Sequence, residues 1–204
     1  MSHRLLFVAA AAALVAFGSG AACAHDMQHM TMDAPAEPTS ASLYNLESKW
    51  TNQDGASVPL GALGGKPVVA AMGYTSCKDM CPAIVANMMW IERHMSEDAA
   101  RRVTFAFFSI DSAVDTPAKL KAYADEHGLD PGSWTLFHGD DDAVRELAAA
   151  LGVGYRPDGL GGFDHAAVIS LIDDKGEIVV QQRGTQASSD ELLAALNSLL
   201  EKRN

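Results

Sequence analysis

Two short, almost continuous apolar runs, each followed by a helical pattern, constrain the fold of this chain most strongly. The runs are Val68 to Tyr74 and Val103 to Ile110. Such runs are typical of strands buried on both faces of a sheet. Helical patterns follow at 82–95 and, after a proline-containing start, from Pro117 to about His127. The alternation predicts an α/β fold, a partly parallel sheet flanked by helices.

Hairpins and further helices complete the pattern. The alternation from Leu43 to Trp50 and the Asn52–Gly55 turn predict an N-terminal β-hairpin with an extended first strand. A second hairpin is predicted around Asp173–Gly176, and this terminal antiparallel hairpin with the closing helix makes the sheet mixed. The remaining predicted elements are a short strand at 134–137, a helix at 143–151, a Gly-rich loop at 152–162 and a final helix at 191–201.

The first 24 residues have the three-part pattern of a secretory signal peptide. A positive charge at Arg4 precedes an apolar stretch from Leu5 to Phe17, and small residues follow. Ala22-Cys23-Ala24 fits the cleavage rule, so we expect the mature, periplasmic chain to begin near His25. Two alternatives stay open: an uncleaved membrane anchor, or lipidation at Cys23.

Residues 25–41 are predicted to be a disordered tether, because they are polar and lack any apolar period. Thioether and imidazole groups suit Cu(I), and a flexible chain can wrap an ion. Five such side chains are therefore auxiliary copper ligand candidates: His25, Met27, His29, Met30 and Met32.

Residues 42–204 are long enough for one domain with its own core. The formal charge of the chain is −11, and it contains no basic cluster. Such a balance argues against nucleic acid and against anionic membrane surfaces as partners, so we expect membrane contact only through a partner or an uncleaved N-terminal segment.

Two cysteines, Cys77 and Cys81, lie between the first buried run and the helix that Pro82 opens. Amide groups at a helix start favour thiolates, and the three intervening residues let both sulfurs point at one place. The pair is suited to a soft metal ion, Cu(I) or Zn(II), or to cycling between dithiol and disulfide. In an oxidising compartment it is also compatible with a structural disulfide.

A third metal ligand has to come from elsewhere in the chain. The histidines of the predicted domain are His94, His127, His138 and His165. Any one of them is more often structural than a ligand. Position at the end of a loop and directly before a strand favours His165.

Several blocks of the chain resemble the Sco/SenC/PrrC family in order and spacing, over about residues 43–204. The blocks are Tyr74-Thr75-Ser76-Cys77-Lys78-Asp79-Met80-Cys81-Pro82, Ser109-Ile110-Asp111, Asp115-Thr116-Pro117, Asp164-His165 and Leu171-Ile172-Asp173-Asp174-Lys175-Gly176. Lys78 and Ser112 stand where the family often has proline. The ordered set is much more specific than one cysteine motif.

The resemblance implies a thioredoxin-like fold and a copper chaperone for the dinuclear copper centre of cytochrome oxidase. It also implies that Cys77, Cys81 and His165 are the copper ligands. Both Cu(I) and Cu(II) could use this ligand set in different redox states, so the oxidation state stays open. The partner would be the copper-receiving subunit of the oxidase or another copper protein.

Two other functions stay open. The cysteines could act as a thiol–disulfide oxidoreductase that reduces the cysteine pair of a copper-receiving partner, with a thioredoxin-like reductant as a further partner. Alternatively, they form a structural disulfide in a binding module.

Overall fold

A mixed seven-stranded sheet forms the centre of the computed structural model, which describes residues 39–202. The predicted signal peptide, Cys23 and the five auxiliary ligand candidates lie outside these residues, as does most of the predicted tether. Residues 39–41 form a turn at the start of the domain, and the Thr39 hydroxyl donates a hydrogen bond to Glu177.

The described residues form nine strands: β1 (Lys49–Asn52), β2 (Ser57–Pro59), β3 (Val68–Gly73), β4 (Thr104–Ser109), β5 (Trp134–Gly139), β6 (Tyr155–Pro157), β7 (Phe163–His165), β8 (Val168–Ile172) and β9 (Ile178–Arg183). The central sheet has the strand order β2-β1-β5-β4-β3-β8-β9, and β3, β4 and β5 run parallel. The other neighbouring pairs are antiparallel, and β6 and β7 form a separate two-stranded sheet.

Helices cover the sheet on both faces. They are α1 (Met80–Arg93), α2 (Glu97–Ala100), α3 (Pro117–His127), α4 (Asp141–Leu151) and α5 (Asp190–Glu201). Val69 and Ala71 of β3 belong to the core that α1, α3 and α5 share, whereas Val68, Ala70 and Met72 belong to the core under α4. Burial on alternate faces explains why this strand has a continuous apolar run.

Most predicted elements are present. The first hairpin exists and joins the sheet through β5. Helix α3 begins after Thr116, whose hydroxyl accepts a hydrogen bond from the Lys119 amide, and ends before Gly128 in the left-handed conformation (φ 63°). The mixed α/β prediction is therefore confirmed.

Two local predictions are wrong. Leu43–Asn45 is a 3-10 turn, not the beginning of an extended strand, because the Ser42 hydroxyl caps it by accepting from the Tyr44 amide. The predicted Gly-rich loop at 152–162 contains β6, which pairs with β7. The short helix α2 has no counterpart among the predicted elements. None of the helices in the described residues is both long and apolar enough to span a membrane.

Candidate metal centre

The site lies at the edge of the sheet where the parallel strands end. The cysteine loop directly follows β3 at this edge. Strand β8 runs antiparallel to β3 and pairs Ile169 with Ala71, so the residues that precede β8 lie at the same edge. His165 is therefore brought to the cysteines by the sheet topology.

The side chains of Cys77, Cys81 and His165 form one cluster. Their ligand atoms all lie within 4.8 Å of one another, and Cys81 Sγ is 3.2 Å from His165 Nε2. Metal–sulfur and metal–nitrogen bonds of about 2.0–2.3 Å would separate three ligands around one ion by about 3.5–4 Å. The cluster thus needs only small side-chain movements to bind an ion. It is the sole group of this kind found in residues 39–202.

The two cysteines have different environments, and both are free thiols. Cys81 is fully buried, whereas Cys77 is half-buried. Burial would raise the pKa of Cys77, but amide groups at the start of α1, above all that of Cys81, outweigh this and lower the pKa. The Cys81 amide nitrogen lies 3.4 Å from Cys77 Sγ.

The thiol of Cys81 favours its protonated form. Burial raises the pKa of Cys81 far above its usual value, with smaller contributions from Cys77 and Asp115, although the Tyr74 amide opposes the shift. That amide nitrogen lies 3.4 Å from Cys81 Sγ. The pair therefore combines an accessible thiol that ionises easily with a buried one that does not.

His165 presents a free nitrogen lone pair to the cysteines. Its Nδ1 lies 3.2 Å from the carbonyl oxygen of Ala166, so Nδ1 carries the proton and donates it to that carbonyl. Nε2 then accepts from the Cys81 thiol. Burial lowers the pKa of His165 and outweighs the opposing effect of the Ala166 carbonyl. The imidazole is thus neutral at pH 7, as metal binding requires.

The β6–β7 hairpin carries His165. Tyr155 pairs with His165 at its base, and the Arg156 guanidinium makes an exposed ion pair of 3.0 Å with Asp164 beside it. At the turn, the Asp158 carboxylate accepts hydrogen bonds from the amides of residues 160 and 162. These contacts fix the strand that positions the imidazole.

Tyr74 joins this hairpin to the cysteine loop. Its hydroxyl accepts from the Phe163 amide and donates to the Phe163 carbonyl, both at 3.2 Å. Its ring meets the His165 ring edge-on, with 5.9 Å between centroids. The hydrogen bond to the Phe163 carbonyl lowers the pKa of Tyr74, but burial and the neighbouring Cys77 thiol together raise it by more. The pKa therefore lies above its usual value, and the phenol stays protonated.

Asp115 anchors the cysteine loop from the other side. Its side chain is fully buried and accepts hydrogen bonds from the Thr75 amide (2.8 Å), the Thr75 hydroxyl and the Ser109 hydroxyl (2.7 Å). Lys119 Nζ lies 3.8 Å away. The next residue, Thr116, caps α3, so Asp115 itself is free to bind the cysteine loop.

The other three histidines lie away from the cluster. His94 is exposed and stacks on Trp90, and His127 stacks on Tyr123 at the end of α3. His138 Nδ1 donates to the Asp115 carbonyl at 3.0 Å. Tyr74 and Asp115 were not among the predicted site residues, although both lie in blocks that resemble the family. Their only other signal was a polar side chain directly beside a buried strand or a helix cap.

Two thiols and an imidazole can bind a soft metal ion, and the thiols can form a disulfide. The sequence model of the SCO1/SenC family matches residues 36–201. The fold and the cluster define a thioredoxin-like domain with a two-cysteine, one-histidine site. The chain belongs to the SCO1/SenC family, as the resemblance predicts.

Individual relatives agree with this assignment. Over 151 residues the chain is 24% identical to the SCO1 protein homolog of Bacillus subtilis, covering 72% of this chain and 78% of that protein. The chain is similar to the structure of Bradyrhizobium japonicum ScoI with copper bound, with 31% sequence identity and a TM-score of 0.64. The match covers 74% of this chain and 96% of that one. A structure of BsSco, a member of the Sco family of cytochrome c oxidase assembly proteins, is 22% identical, with a TM-score of 0.66 over 81% and 95%.

Proposed function

We propose that this protein is a periplasmic copper chaperone that binds Cu(I) and delivers it to the dinuclear copper centre of cytochrome oxidase. The cluster of Cys77, Cys81 and His165 carries the proposal. Its ligand atoms already lie within 4.8 Å of one another and the imidazole is neutral.

The chemistry of the three ligands favours copper. Thiolates are soft ligands that select Cu(I), and imidazole is a suitable companion ligand for copper. Cys77 loses its proton readily, whereas Cys81 needs the ion itself to displace its proton. The copper-bound relative supports this choice of metal at a similar fold.

The arrangement is also suited to transferring copper to another protein by ligand exchange. Cys77 is half-buried, so one side of a three-coordinate ion would face the surface. A thiolate of the receiving protein could enter there and displace the ligands one at a time, without releasing a free ion. BsSco is a member of the Sco family of cytochrome c oxidase assembly proteins, which supports the oxidase as the recipient.

The metal site is tested by measuring the copper affinity of the reduced protein and the number of copper ions bound per chain. We expect one Cu(I) per chain at this site. Cys77→Ser or Cys81→Ser should abolish tight binding. His165→Ala should weaken it strongly, by more than the about 10- to 100-fold typical of losing a group that only orients a ligand. The exposed His94 offers a matched control, since His94→Ala should bind as the wild type does. Equal affinity of the His165 and His94 variants would refute the proposed third ligand.

Transfer itself needs a separate measurement. The copper-loaded protein would be mixed with the reduced copper domain of the oxidase subunit from the same organism, and copper would be counted on both after separation. We expect copper to move to the oxidase domain. Copper that stays on the chaperone would refute delivery to this recipient while leaving the metal site intact.

The N-terminal part of the proposal concerns export and extra copper capacity. We propose cleavage before His25, which the mass of the protein from the periplasmic fraction tests; a lipid adduct on Cys23 or an intact N-terminus would contradict it. Copper gathering by the Met/His-rich segment predicts a lower copper count after its five candidate ligands are replaced. They are His25, Met27, His29, Met30 and Met32.

A second function, thiol–disulfide exchange with the copper-receiving partner, is favoured by the contrast between the two thiols. The Cys77 thiolate would attack the partner disulfide, and Cys81 would then release the reduced partner and leave a Cys77–Cys81 disulfide. A thioredoxin-like reductant would restore both thiols. We expect the protein to reduce the disulfide of the oxidised oxidase domain stoichiometrically, and the Cys77→Ser variant to lose this activity. Reduction no faster than that by glutathione would contradict this function.

A further inference from the structure

The ligands of the candidate metal centre come from two segments with few direct connections. Cys77 and Cys81 follow β3, whereas His165 ends β7 in the separate two-stranded sheet. The central sheet brings His165 to the same edge as the cysteines, because β8 pairs with β3 and begins three residues after the histidine. The ladder does not include β7 itself, so contacts outside the central sheet have to fix the position of the imidazole.

Within residues 39–202, three polar contacts join β7 to the segment from Tyr74 to Cys81. One is the contact of 3.2 Å between Cys81 Sγ and His165 Nε2. The other two are the hydrogen bonds between the Tyr74 hydroxyl and the backbone of Phe163. A metal ion would replace the first, because it displaces the thiol proton and takes the nitrogen lone pair. The Tyr74 bonds need not change.

The packing around Tyr74 restricts the hydroxyl to this position. The side chain is 7% exposed, and its ring meets the rings of Phe163 and His165 edge-on, at centroid distances of 5.6 and 5.9 Å. A Cβ atom on Gly162 would lie 2.8 Å from the hydroxyl oxygen and also 2.8 Å from Asp158 Oδ2. The absence of a side chain at Gly162 thus lets the hairpin backbone reach the phenol.

We propose that Tyr74 is a positioning residue for the copper site, which holds the strand of His165 against the cysteine loop. The inference rests on the proposed function, since it concerns the same ligands. Two hydrogen bonds to one backbone unit resist both sliding and rotation of the strand, and that unit lies two residues before the ligand. Tyr74 would thereby keep the imidazole nitrogen ready for copper when the Cys81 proton has gone.

Tyr74→Phe tests the inference, because it removes the hydroxyl and keeps the ring. Cu(I) affinity would be measured by competition with a chromophoric chelator, and the thiolate-to-copper absorption spectrum would be recorded after loading with Cu(II). We expect affinity to fall about tenfold, the size typical of losing a group that orients a metal ligand, and the spectrum to shift. A wild-type affinity and spectrum would overturn the proposal.

Tyr44→Phe is the matched control. The Tyr44 hydroxyl donates to the Asp173 carbonyl at 3.4 Å, in the turn at the opposite end of β8 from the site. This variant also loses one hydroxyl bonded to backbone, so it reports the general effect on stability. We expect its copper affinity and spectrum to be those of the wild type. An equal loss of affinity in both variants would mean that Tyr74 acts through stability alone, and would overturn the proposal.

Gly162→Ala provides a second route if the Tyr74 variant folds poorly. It keeps the hydroxyl but puts a methyl carbon 2.8 Å from both the Tyr74 hydroxyl and Asp158 Oδ2. The Asp158 side chain is exposed at the hairpin turn, whereas the Tyr74 side chain is packed, so the strand should move away from the loop and Cu(I) binding should weaken. Unchanged binding in this variant would contradict the proposal. A wild-type protein that binds no copper would instead refute the proposed function, which distinguishes the two failures.

Discussion

A single methyl group added at Gly73, the last residue of β3, should disturb the candidate metal centre through contact with Cys81. An added Cβ would lie 2.8 Å from Cys81 Sγ and 3.0 Å from two ring atoms of Phe107. Non-bonded carbon atoms are best separated by about 3.5–4.0 Å, so the contacts with the ring are short by about 0.5–1 Å. The contact with sulfur, a larger atom, is short by more. Cys81 must move or the strand must shift.

The expected cost follows from two opposing effects. Overpacking a well-filled core costs about 1–3 kcal/mol. Replacing glycine by alanine lowers the entropy of the unfolded chain and thereby stabilises the folded protein by about 0.4–1 kcal/mol. Gly73→Ala should therefore lower the free energy of unfolding by about 1–2 kcal/mol, because the packing term outweighs the entropy term. Movement of the sulfur should also weaken Cu(I) binding by about tenfold or more.

Urea unfolding of the reduced, copper-free protein and Cu(I) competition would be measured together. Gly154→Ala is the matched control: no atom lies within 4 Å of its added Cβ, and its φ is outside the left-handed range. Its stability should stay equal to the wild type or rise by up to about 1 kcal/mol. Wild-type stability and wild-type copper affinity in Gly73→Ala would refute the idea that close packing against Gly73 holds the thiol in place.

Three further predictions follow from the thiols, the imidazole and a helix cap. Iodoacetamide should modify Cys77 at least about tenfold faster than Cys81 at pH 7.5, as followed by mass spectrometry, because Cys77 is more exposed and its pKa is lowered; equal rates would contradict this. Because burial holds the pKa of His165 below 6.5, the unfolded chain takes up this proton first as pH falls. The free energy of unfolding of the wild type should therefore drop more between pH 7.5 and 5 than that of His165→Gln. An equal drop in both proteins would refute the lowered pKa of His165. Asp140→Ala should cost about 1 kcal/mol in thermal or urea unfolding, since the carboxylate accepts from the Ala143 amide at 2.8 Å at the start of α4; no loss would show that the cap is not needed.

Local patterns were enough to predict the main elements. The apolar runs of β3 and β4 identify buried strands because both of their faces are covered. Thr116 and Gly128 mark the ends of α3 because a hydroxyl cap and a left-handed glycine satisfy backbone groups within a few residues. The cysteine pair was visible for the same reason, because Cys77 and Cys81 lie only four positions apart at a strand–helix junction.

The parts that were missed depend on distant contacts. Strands β6 and β7 have three residues each, too few for an alternation to be read, and β7 is tied to Tyr74, 89 positions away from Phe163 in sequence. Asp115 binds Thr75 across 40 positions. Nothing near either residue in the chain indicates these partners. His165 was favoured by its place at a strand edge, whereas its distance to the cysteines required the fold.

The register of β3 has a consequence for the order in which the domain forms. Val68 pairs with Ile172, so this central strand is completed only when segments about a hundred residues apart meet. Closing such a long chain segment costs entropy before its contacts form, which makes this pairing intrinsically slow. His165 reaches Cys81 only with that closure. Copper held by all three ligands would therefore stabilise the finished native state, slowing unfolding while leaving the rate of folding unchanged.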